Sequence, residues 1–570
     1  MSRPALSYDH GSGTEKLIYQ TIGDLLKQTA ARFPDNDALV DCHSAVRFTY
    51  SAFDRLTDDL AKGMHALGIQ RGDRVGIWSI NRWEWVATQF ATAKIGAIMV
   101  NINPAYRSHE LEYALRQSET QTVILLESFK SSAYLEMMLS VCPELAASRP
   151  GSVDSTVLPY LKNMILFGGA HPSAFDFNDL IERGKAVPDD ELTRIMDGLD
   201  PDDDVNIQYT SGTTGFPKGV VLSHFNIVNN AFLVANVMRF TDADRLCIPV
   251  PFYHCFGMVL SNMACVTAGA AMIVPGPMFD PVAVFEAVEK EKCTALHGVP
   301  TMFIAELNHP DFEKYDRSRL RTGIMAGSPC PIETMRTVID RMNMTDVVIA
   351  YGMTETSPVT IMTRIDDTIE RRVSTVGRAM TTQEVKVVST NNGATLPRGE
   401  QGELCFRGYS VMKRYYNNPE ATHETIDEAG WLHSGDLGVM DTEGYVKITG
   451  RIKEMVIRGG ENLYPREIEE FLRTHTDIMD VYVVGVPDLK YGEELMAWVI
   501  PKSGKPLDVD SLRAFCEDKI SRHKVPRYWK FVDTLGNIPM TITGKIQKFK
   551  MREIAIKELG LEAAADVKTA

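Results

Sequence analysis

Residues 210–218 read TSGTTGFPK and are followed at once by Gly219. No other stretch restricts the chain as much. Ser211, Thr213 and Thr214 supply hydroxyls, Gly212 and Gly215 permit positive φ and close backbone approach, and Pro217 removes an amide and ends any regular ladder. A helix or strand does not suit that composition. What remains, from Thr210 onward, is a loop of exposed N–H and O–H donors ending in the cation Lys218, a surface suited to a polyphosphate. A strand-like run at 206–209 precedes it, and 220–224 lead out toward a helix. The loop is not a Walker A. Counting from Gly212, Pro217 stands where the second glycine should be, and Gly219 follows the lysine.

The rest of the chain must supply a fold around that loop. At 570 residues it exceeds one core, so two or more folded units are expected. With 44% apolar and 24% charged residues it reads as a soluble globular protein. A formal charge of −15 argues against nucleic acid as a partner, since a phosphate backbone needs a basic footprint, yet leaves room for a nucleotide. Nine cysteines are scattered without a C-x-x-C pair, so neither a zinc site nor a disulfide framework is expected and a reducing compartment fits. The N-terminus has neither a signal peptide's apolar run nor a transit peptide's arginine-rich pattern, so a cytoplasmic location is expected. The segment 247–278 is nearly uncharged, but Pro249, Pro251, Pro275, Pro277, His254 and Asn262 fall inside it. It reads as a strand, a loop and a buried helix beneath a pocket, not as a membrane span.

Apolar spacing supplies the elements. Phe53, Leu56, Leu60, Met64 and Leu67 recur at helical intervals after Ser51, which has N-cap chemistry. Strands are expected at 75–78, 98–100 and 122–126, with helices at 83–94 and from Ser108 onward. Residues 148–157 read as a surface excursion. The same alternation recurs over 241–353, with strands at 293–296 and 347–350. Beyond Val373 short glycine-bearing strands, such as 384–388 and 402–407, indicate a small β-unit. The C-terminal stretch reads as helix 466–473, strand 481–486, helix 509–520 and strand 529–532. The expected fold is α/β: a large N-terminal domain of two α/β layered-sheet subdomains plus the β-unit, then a small mobile α+β domain. The boundaries expected are 1–450, a hinge at 451–455, and 456–570.

Five further motifs follow the loop. Tyr351-Gly352-Met353-Thr354-Glu355 closes a strand, where ligands of α/β sheets sit. Tyr351 offers a ring face to a base, Thr354 a hydroxyl to a phosphate, and Glu355 a hard oxygen to Mg²⁺. Gly327-Ser328-Pro329-Cys330 ends the strand-like run 322–326. Trp431-Leu-His-Ser-Gly-Asp436 presents a carboxylate able to accept two hydroxyls. Gly450-Arg451-Ile-Lys453 runs on to Gly459 and Gly460, and Pro539-Met-Thr-Ile-Thr-Gly-Lys545 lies near the C-terminus. In this order the six resemble the motifs of the adenylate-forming superfamily: acyl-CoA synthetases, adenylation domains and luciferases.

The resemblance implies a role for each residue. Thr210, Ser211, Gly212, Thr213, Thr214, Gly215 and Lys218 would hold the phosphates of ATP. Gly327, Ser328 and Pro329 would lie along the adenine with Tyr351 and Gly352. Thr354 and Glu355 would serve the phosphate and metal, and Asp436 and Arg451 the ribose. Lys453 would be the hinge, Gly459 and Gly460 the wall of a pantetheine tunnel, and Lys545 the cation that enters for adenylate formation. His254 would sit beside the reacting carboxylate, with Phe256, Met258, Val299, Ala326 and Val359 around an acyl chain. The implied reaction has two steps: a carboxylate and MgATP give acyl-AMP and pyrophosphate, then coenzyme A takes the acyl group. Within the superfamily the chain resembles fatty-acyl-CoA synthetases of the medium-chain type, implying a medium- to long-chain acid. Aryl, dicarboxylic or branched acids remain alternatives, as does an acyl-AMP ligase that loads a carrier protein in trans. A catalytically silent nucleotide-binding protein would be favoured by loss of Lys545, Glu355 or Asp436; all three are present. The expected partners are the acid and coenzyme A, with no nucleic acid, no transmembrane segment and at most peripheral membrane contact. Self-association is left open.

Overall fold

Alternating apolar helix faces and buried strands fold as layered sheets. A computed structural model describes residues 5–210, 217–327, 330, 332–458, 461–502, 507–517, 519–541 and 546–565. The chain divides into two compact units, one of Asp9–Val385 with Phe406–Leu432, the other of Met1–Tyr8, Lys386–Cys405 and His433–Ala570.

In the larger unit, the strands that flank the loop are β1 (Asp204–Thr210) and β2 (Lys218–Ser223), followed by helix α1 (His224–Val237). Among the described residues they belong to an eight-stranded sheet. Its order is Arg414–Tyr415, β2, β1, Ile98–Ile102, Arg74–Trp78, Thr122–Leu125, Asn163–Leu166 and Phe175–Asp176. A nine-stranded sheet carries the second half of the rhythm. Its edge holds Arg378–Ala379, β5 (Val359–Met362), β4 (Asp346–Gly352) and β3 (Thr322–Met325). Ala295–Leu296, Arg245–Cys247, Ala271–Val274, Asp37–Asp41 and Val46–Thr49 complete it. The central strands of both sheets pair in parallel; the hairpin edge of the first sheet and both edges of the second are antiparallel, while Phe175–Asp176 joins its neighbour in parallel. Ile98–Ile102 and Thr322–Met325 are buried along their whole length, as strands covered on both faces must be.

Two expectations shift at helix ends. The first long helix runs Tyr50–Ala66 and is capped by Thr49, whose Oγ1 accepts the Ala52 N–H at 3.3 Å; Ser51 lies inside the helix. Tyr50 is the cause: it is fully buried and donates its hydroxyl to Ala270 O at 2.6 Å, so the helix starts early enough to aim that side chain inward. The helix expected at 509–520 spans Val509–Cys516, because once Leu512 and Cys516 are buried the backbone turns extended at Glu517 (ψ 134°). The helix expected at 83–94 is Trp83–Lys94, and Ser108 does open a helix, Ser108–Gln117.

The smaller unit contains most of a five-stranded sheet that includes β6 (Gln401–Arg407), β7 (Leu432–Met440) and β8 (Val446–Arg451). A second sheet pairs Ile478–Asp488 with Gly492–Pro501, and Tyr528–Phe531 runs parallel to the latter. Helices Pro465–Leu472 and Lys548–Leu559 pack on it around Ile468, Leu472, Val483, Trp498 and Met551. No described helix is long and apolar enough to cross a membrane.

Candidate active site

The flanks of the 210–218 stretch form a hairpin. β1 and β2 pair antiparallel, with Thr210 opposite Lys218, Tyr209 opposite Gly219 and Gln208 opposite Val220. Lys218 therefore opens a strand, where the sequence suggested the end of a loop; the β-branched run behind it extends the ladder to the lysine. Ser211, Gly212, Thr213, Thr214 and Gly215 lie outside the described residues. Strand periodicity sends alternate β1 side chains to opposite supports. On one face, the Tyr209 hydroxyl lies 2.8 Å from both Gln117 Oε1 and Ala114 O, and Gln117 Nε2 donates to Tyr416 O at 2.6 Å. Tyr113 donates to Pro217 O at 3.0 Å. On the other face, Asn206 Nδ2 donates to Met99 O at 2.9 Å, and Gln208 Oε1 accepts the Cys255 thiol at 3.1 Å. After β2, Ser223 caps α1 through a reciprocal pair with Asn226.

The Glu355 turn is fastened to the same hairpin. Glu355 follows β4 in a single 3₁₀ turn, Thr354–Thr356, and is buried. Its Oε1 accepts the Tyr415 hydroxyl at 2.7 Å. Tyr415 sits on the edge strand beside β2, opposite Val220, and Lys218 Nζ lies 4.9 Å from the centre of its ring. Burial first, and then the Glu355 charge, push the Tyr415 phenol well above its ordinary pKa, so it stays a proton donor to the carboxylate. One aromatic ring thus ties the loop's cation to the turn's anion. A buried carboxylate, next in the chain to a threonine hydroxyl, offers hard oxygens of the kind a divalent cation such as Mg²⁺ takes.

Two glycines set the backbone around that turn. A Cβ on Gly352 would stand 1.7 Å from Pro358 O, which leaves no space for any side chain. Gly327 has φ 92°, and its added Cβ would meet Val299 Cγ1 at 3.1 Å. β3 and β4 run parallel with Met325 opposite Ile349, so Gly327 and Tyr351 leave neighbouring strands at the same carboxyl edge. Tyr351 packs its ring 6.1 Å from that of Phe406. Ser328 and Pro329 lie outside the described residues.

The residues suggested around the acyl chain all belong to, or pack against, the main core of the larger unit, which runs from Ile22 to Ala421. Met258, Val299, Ala326 and Val359 belong to one buried core, with Phe256 packed against it. His254 is half-buried with its ring 4.2 Å from that of Tyr253. Residues Met258–Met263 form a π-helical turn, a geometry that widens a helix and is common at functional sites. His297 lies beside it, fully buried, with Nδ1 3.0 Å from Ser261 Oγ and its ring 5.4 Å from Phe256. Burial lowers its pKa to about 3, so the ring is neutral.

In the smaller unit, Asp436 on β7 stands directly opposite Arg451 on β8, with Arg451 Nε 2.6 Å from Asp436 Oδ1. Lys453 is exposed in the single turn Ile452–Glu454. Gly459, Gly460 and Lys545 lie outside the described residues. Tyr415, Gln208 and Cys255 escaped the sequence analysis. Each reaches its partner across a sheet or a core, so no local spacing marks it.

The chain is similar to known proteins along nearly its whole length. The AMP-binding enzyme family matches residues 26–416, and the C-terminal domain of AMP-binding enzymes matches 467–545. YngI of Bacillus subtilis, which carries the name acyl-CoA synthetase, is 54% identical over 96% of this chain and 100% of its own length. The mitochondrial medium-chain acyl-CoA ligase ACSF2 of Danio rerio is 44% identical over 97% of this chain and 91% of its own. Among solved structures, the anthranilate CoA ligase AuaEII in complex with anthranoyl-AMP superposes with a TM-score of 0.82 at 26% identity, covering 95% of this chain and 98% of that one. A family match over most of the chain, and relatives this similar along nearly their full length, place the protein: it belongs to the AMP-binding enzyme family.

Proposed function

We propose that this chain is a cytoplasmic, Mg²⁺-dependent acyl-CoA synthetase whose substrate is a medium-chain fatty acid. It is an ATP-dependent acid–thiol ligase that works through acyl-AMP, as the names of its relatives and their near-complete coverage support. The observation that carries the site assignment is the Glu355–Tyr415–Lys218 arrangement, which holds a buried anion and a cation on one ring at the mouth of the hairpin.

In the first step, Thr210, residues 211–215 and Lys218 hold the outgoing phosphates in line with the bond that breaks. Mg²⁺, when bound, neutralises charge on the phosphoryl oxygens. Glu355 and Thr354 are the residues proposed to hold it. Tyr415 keeps Glu355 in place, and Lys545 is assigned to the charge that builds at the α-phosphorus. Asp436 and Arg451 are assigned to the ribose, Tyr351, Gly327, Ser328 and Pro329 to the adenine, and His254 to the acid's carboxylate. In the second step the coenzyme A thiol attacks the acyl carbon and AMP leaves. Movement about Lys453 precedes that attack, withdrawing Lys545 and presenting Gly459 and Gly460 to the pantetheine arm. Phe256, Met258, Val299, Ala326 and Val359 surround the acyl chain, an apolar lining that suits an aliphatic acid.

AMP release with MgATP, measured with and without coenzyme A over straight-chain acids from acetate to palmitate and benzoate, tests this. Turnover that requires coenzyme A and peaks at intermediate length is expected. A maximum with benzoate or acetate would remove the medium-chain assignment, and pyrophosphate exchange without coenzyme A-dependent turnover would replace the thiol acceptor with a carrier protein.

A further inference from the structure

Three residues before Asp436 along β7, but apart from the residues assigned to the nucleotide and the acid, three side chains of unlike chemistry converge on one point in the smaller unit. Glu403 and Cys405 are two apart on β6, so both project from the same face of that strand. His433 comes from the adjacent strand β7. Its Nδ1 lies 2.8 Å from Glu403 Oε2 and 3.5 Å from Cys405 Sγ, and the three ligand atoms all fall within 4.8 Å of one another. Among the described residues this is the one such group of three. Around a tetrahedral zinc ion with bonds of about 2.0–2.3 Å, neighbouring ligand atoms stand roughly 3.3–3.7 Å apart. The Cys405–His433 separation already falls in that range, and the His433–Glu403 pair has to open by about 0.5 Å from its hydrogen-bonded contact.

Two details favour a metal site over a hydrogen-bonded cluster alone. Glu403 divides its work: Oε1 accepts the Gly435 N–H at 3.0 Å, which fixes the carboxylate's direction and turns Oε2 to the cluster. Such outer hydrogen bonding is how proteins orient carboxylate ligands. The group also has a closed and an open side. Cys405 is fully buried, whereas the His433 side chain is 33% exposed and that of Glu403 14%. Three protein ligands with one side toward solvent leave the fourth position of a tetrahedron to water.

We propose that Glu403, Cys405 and His433 bind one divalent ion of the zinc class. Thiolate and imidazole select zinc-like ions over Mg²⁺, so this site is chemically distinct from the oxygen donors at Glu355. On binding, the Cys405 S–H and His433 Nδ1–H protons pass to solvent, and Sγ, Nδ1 and Glu403 Oε2 each donate an electron pair to the ion. The C-x-x-C spacing sought in the sequence cannot find such a site, because its ligands come from two strands 28 residues apart at the Cys405–His433 contact.

Metal-free full-length protein titrated with Co²⁺ and then Zn²⁺ tests the proposal. One equivalent of Co²⁺ should give thiolate-to-cobalt charge-transfer absorption and the d–d bands of a four-coordinate ion, both removed by Zn²⁺. Cys405→Ala should abolish the charge-transfer band. His433→Gln and Glu403→Gln should weaken Zn²⁺ binding by about 100-fold or more. The latter two side chains are partly exposed, so these variants keep the test alive if the cysteine variant does not fold. Absence of the thiolate band in the wild type overturns the proposal. So does an unchanged Co²⁺ spectrum and Zn²⁺ affinity in His433→Gln.

Discussion

Glu355 shows what burial demands of one residue. A carboxylate removed from water must be paired, hydrogen-bonded or protonated, and here the Tyr415 hydroxyl supplies the hydrogen bond. Tyr415→Phe keeps the ring under Lys218 and removes only that donor. We expect it to lower unfolding free energy by about 1.5–3 kcal/mol in urea titration, the cost of a lost hydrogen bond to a charged group. Tyr415→Leu should lose at least a further ~0.5–1 kcal/mol, since the Lys218 ammonium then has no ring face. Equal stability of the two variants would mean that the cation–ring contact contributes nothing. Lys545→Ala is the catalytic counterpart: adenylation, followed by pyrophosphate exchange, should fall about 10²–10³-fold, while thiolation of supplied acyl-AMP changes little. Equal losses in both half-reactions would sink that assignment. At this scale the sequence was half legible. Glu355 and Lys218 stand in motifs that announce themselves, but Tyr415 does not, because only the pairing of Val220 with Tyr415 at the sheet edge brings it near.

At the scale of elements, the loop works only as well as its hairpin is held. Gln117 is the key brace, since its amide spans the Tyr209 hydroxyl on β1 and the Tyr416 carbonyl beyond the edge strand. Gln117→Ala removes both bonds from a helix that otherwise stays intact. We expect the KM for ATP to rise about 5–10-fold, with the KM for the acid within about twofold, because small misplacements of a positioning element weaken the substrate it orients. Initial rates at varied ATP check this, and a parallel rise in both KM values would point to a general loosening of the fold. Elements were the most legible level of the sequence. The helix Trp83–Lys94 was legible over its whole length and that of Ser108–Gln117 in its start, and the strand at 206–209 lengthened only to Asp204–Thr210. What spacing misjudged were the ends, and for tertiary reasons. Burial of Tyr50 moved a cap from Ser51 to Thr49, and antiparallel pairing drew Lys218 out of a loop into β2. The polar ties of Asn206 and Gln208 inside the sheet were invisible, because an amide in a strand reads the same whether it faces water or a buried partner.

Over the larger unit, three buried titratable groups set how stability responds to pH. His224 accepts the Ile22 N–H on Nδ1 at 3.1 Å and is fully buried, which lowers its pKa from 6.5 to about 4. Burial takes His297 to about 3 and raises Glu306 from 4.5 to about 8. The signs oppose one another. Below pH 6.5 the unfolded chain protonates both histidines while the folded chain does not, which destabilises the fold as pH drops. Between pH 4.5 and 8 the folded chain keeps Glu306 protonated while the unfolded chain has lost that proton, which destabilises the fold as pH rises. From pH 6.5 down to 4.5 the net difference is one proton, so stability should fall by about 1.4 kcal/mol per pH unit. From pH 6.5 to 8 Glu306 is the one of these three that counts, and its contribution should fall at the same rate in the other direction. The maximum therefore lies near pH 6.5. Glu306→Gln removes one of the two opposing slopes: the alkaline fall should become shallower, and the acid fall should steepen toward about 2.7 kcal/mol per unit. Urea unfolding of wild type and variant at half-unit steps from pH 4.5 to 8 measures both limbs. An alkaline limb unchanged in the variant would show that Glu306 is ionised in the fold, and that some group outside this trio sets the maximum.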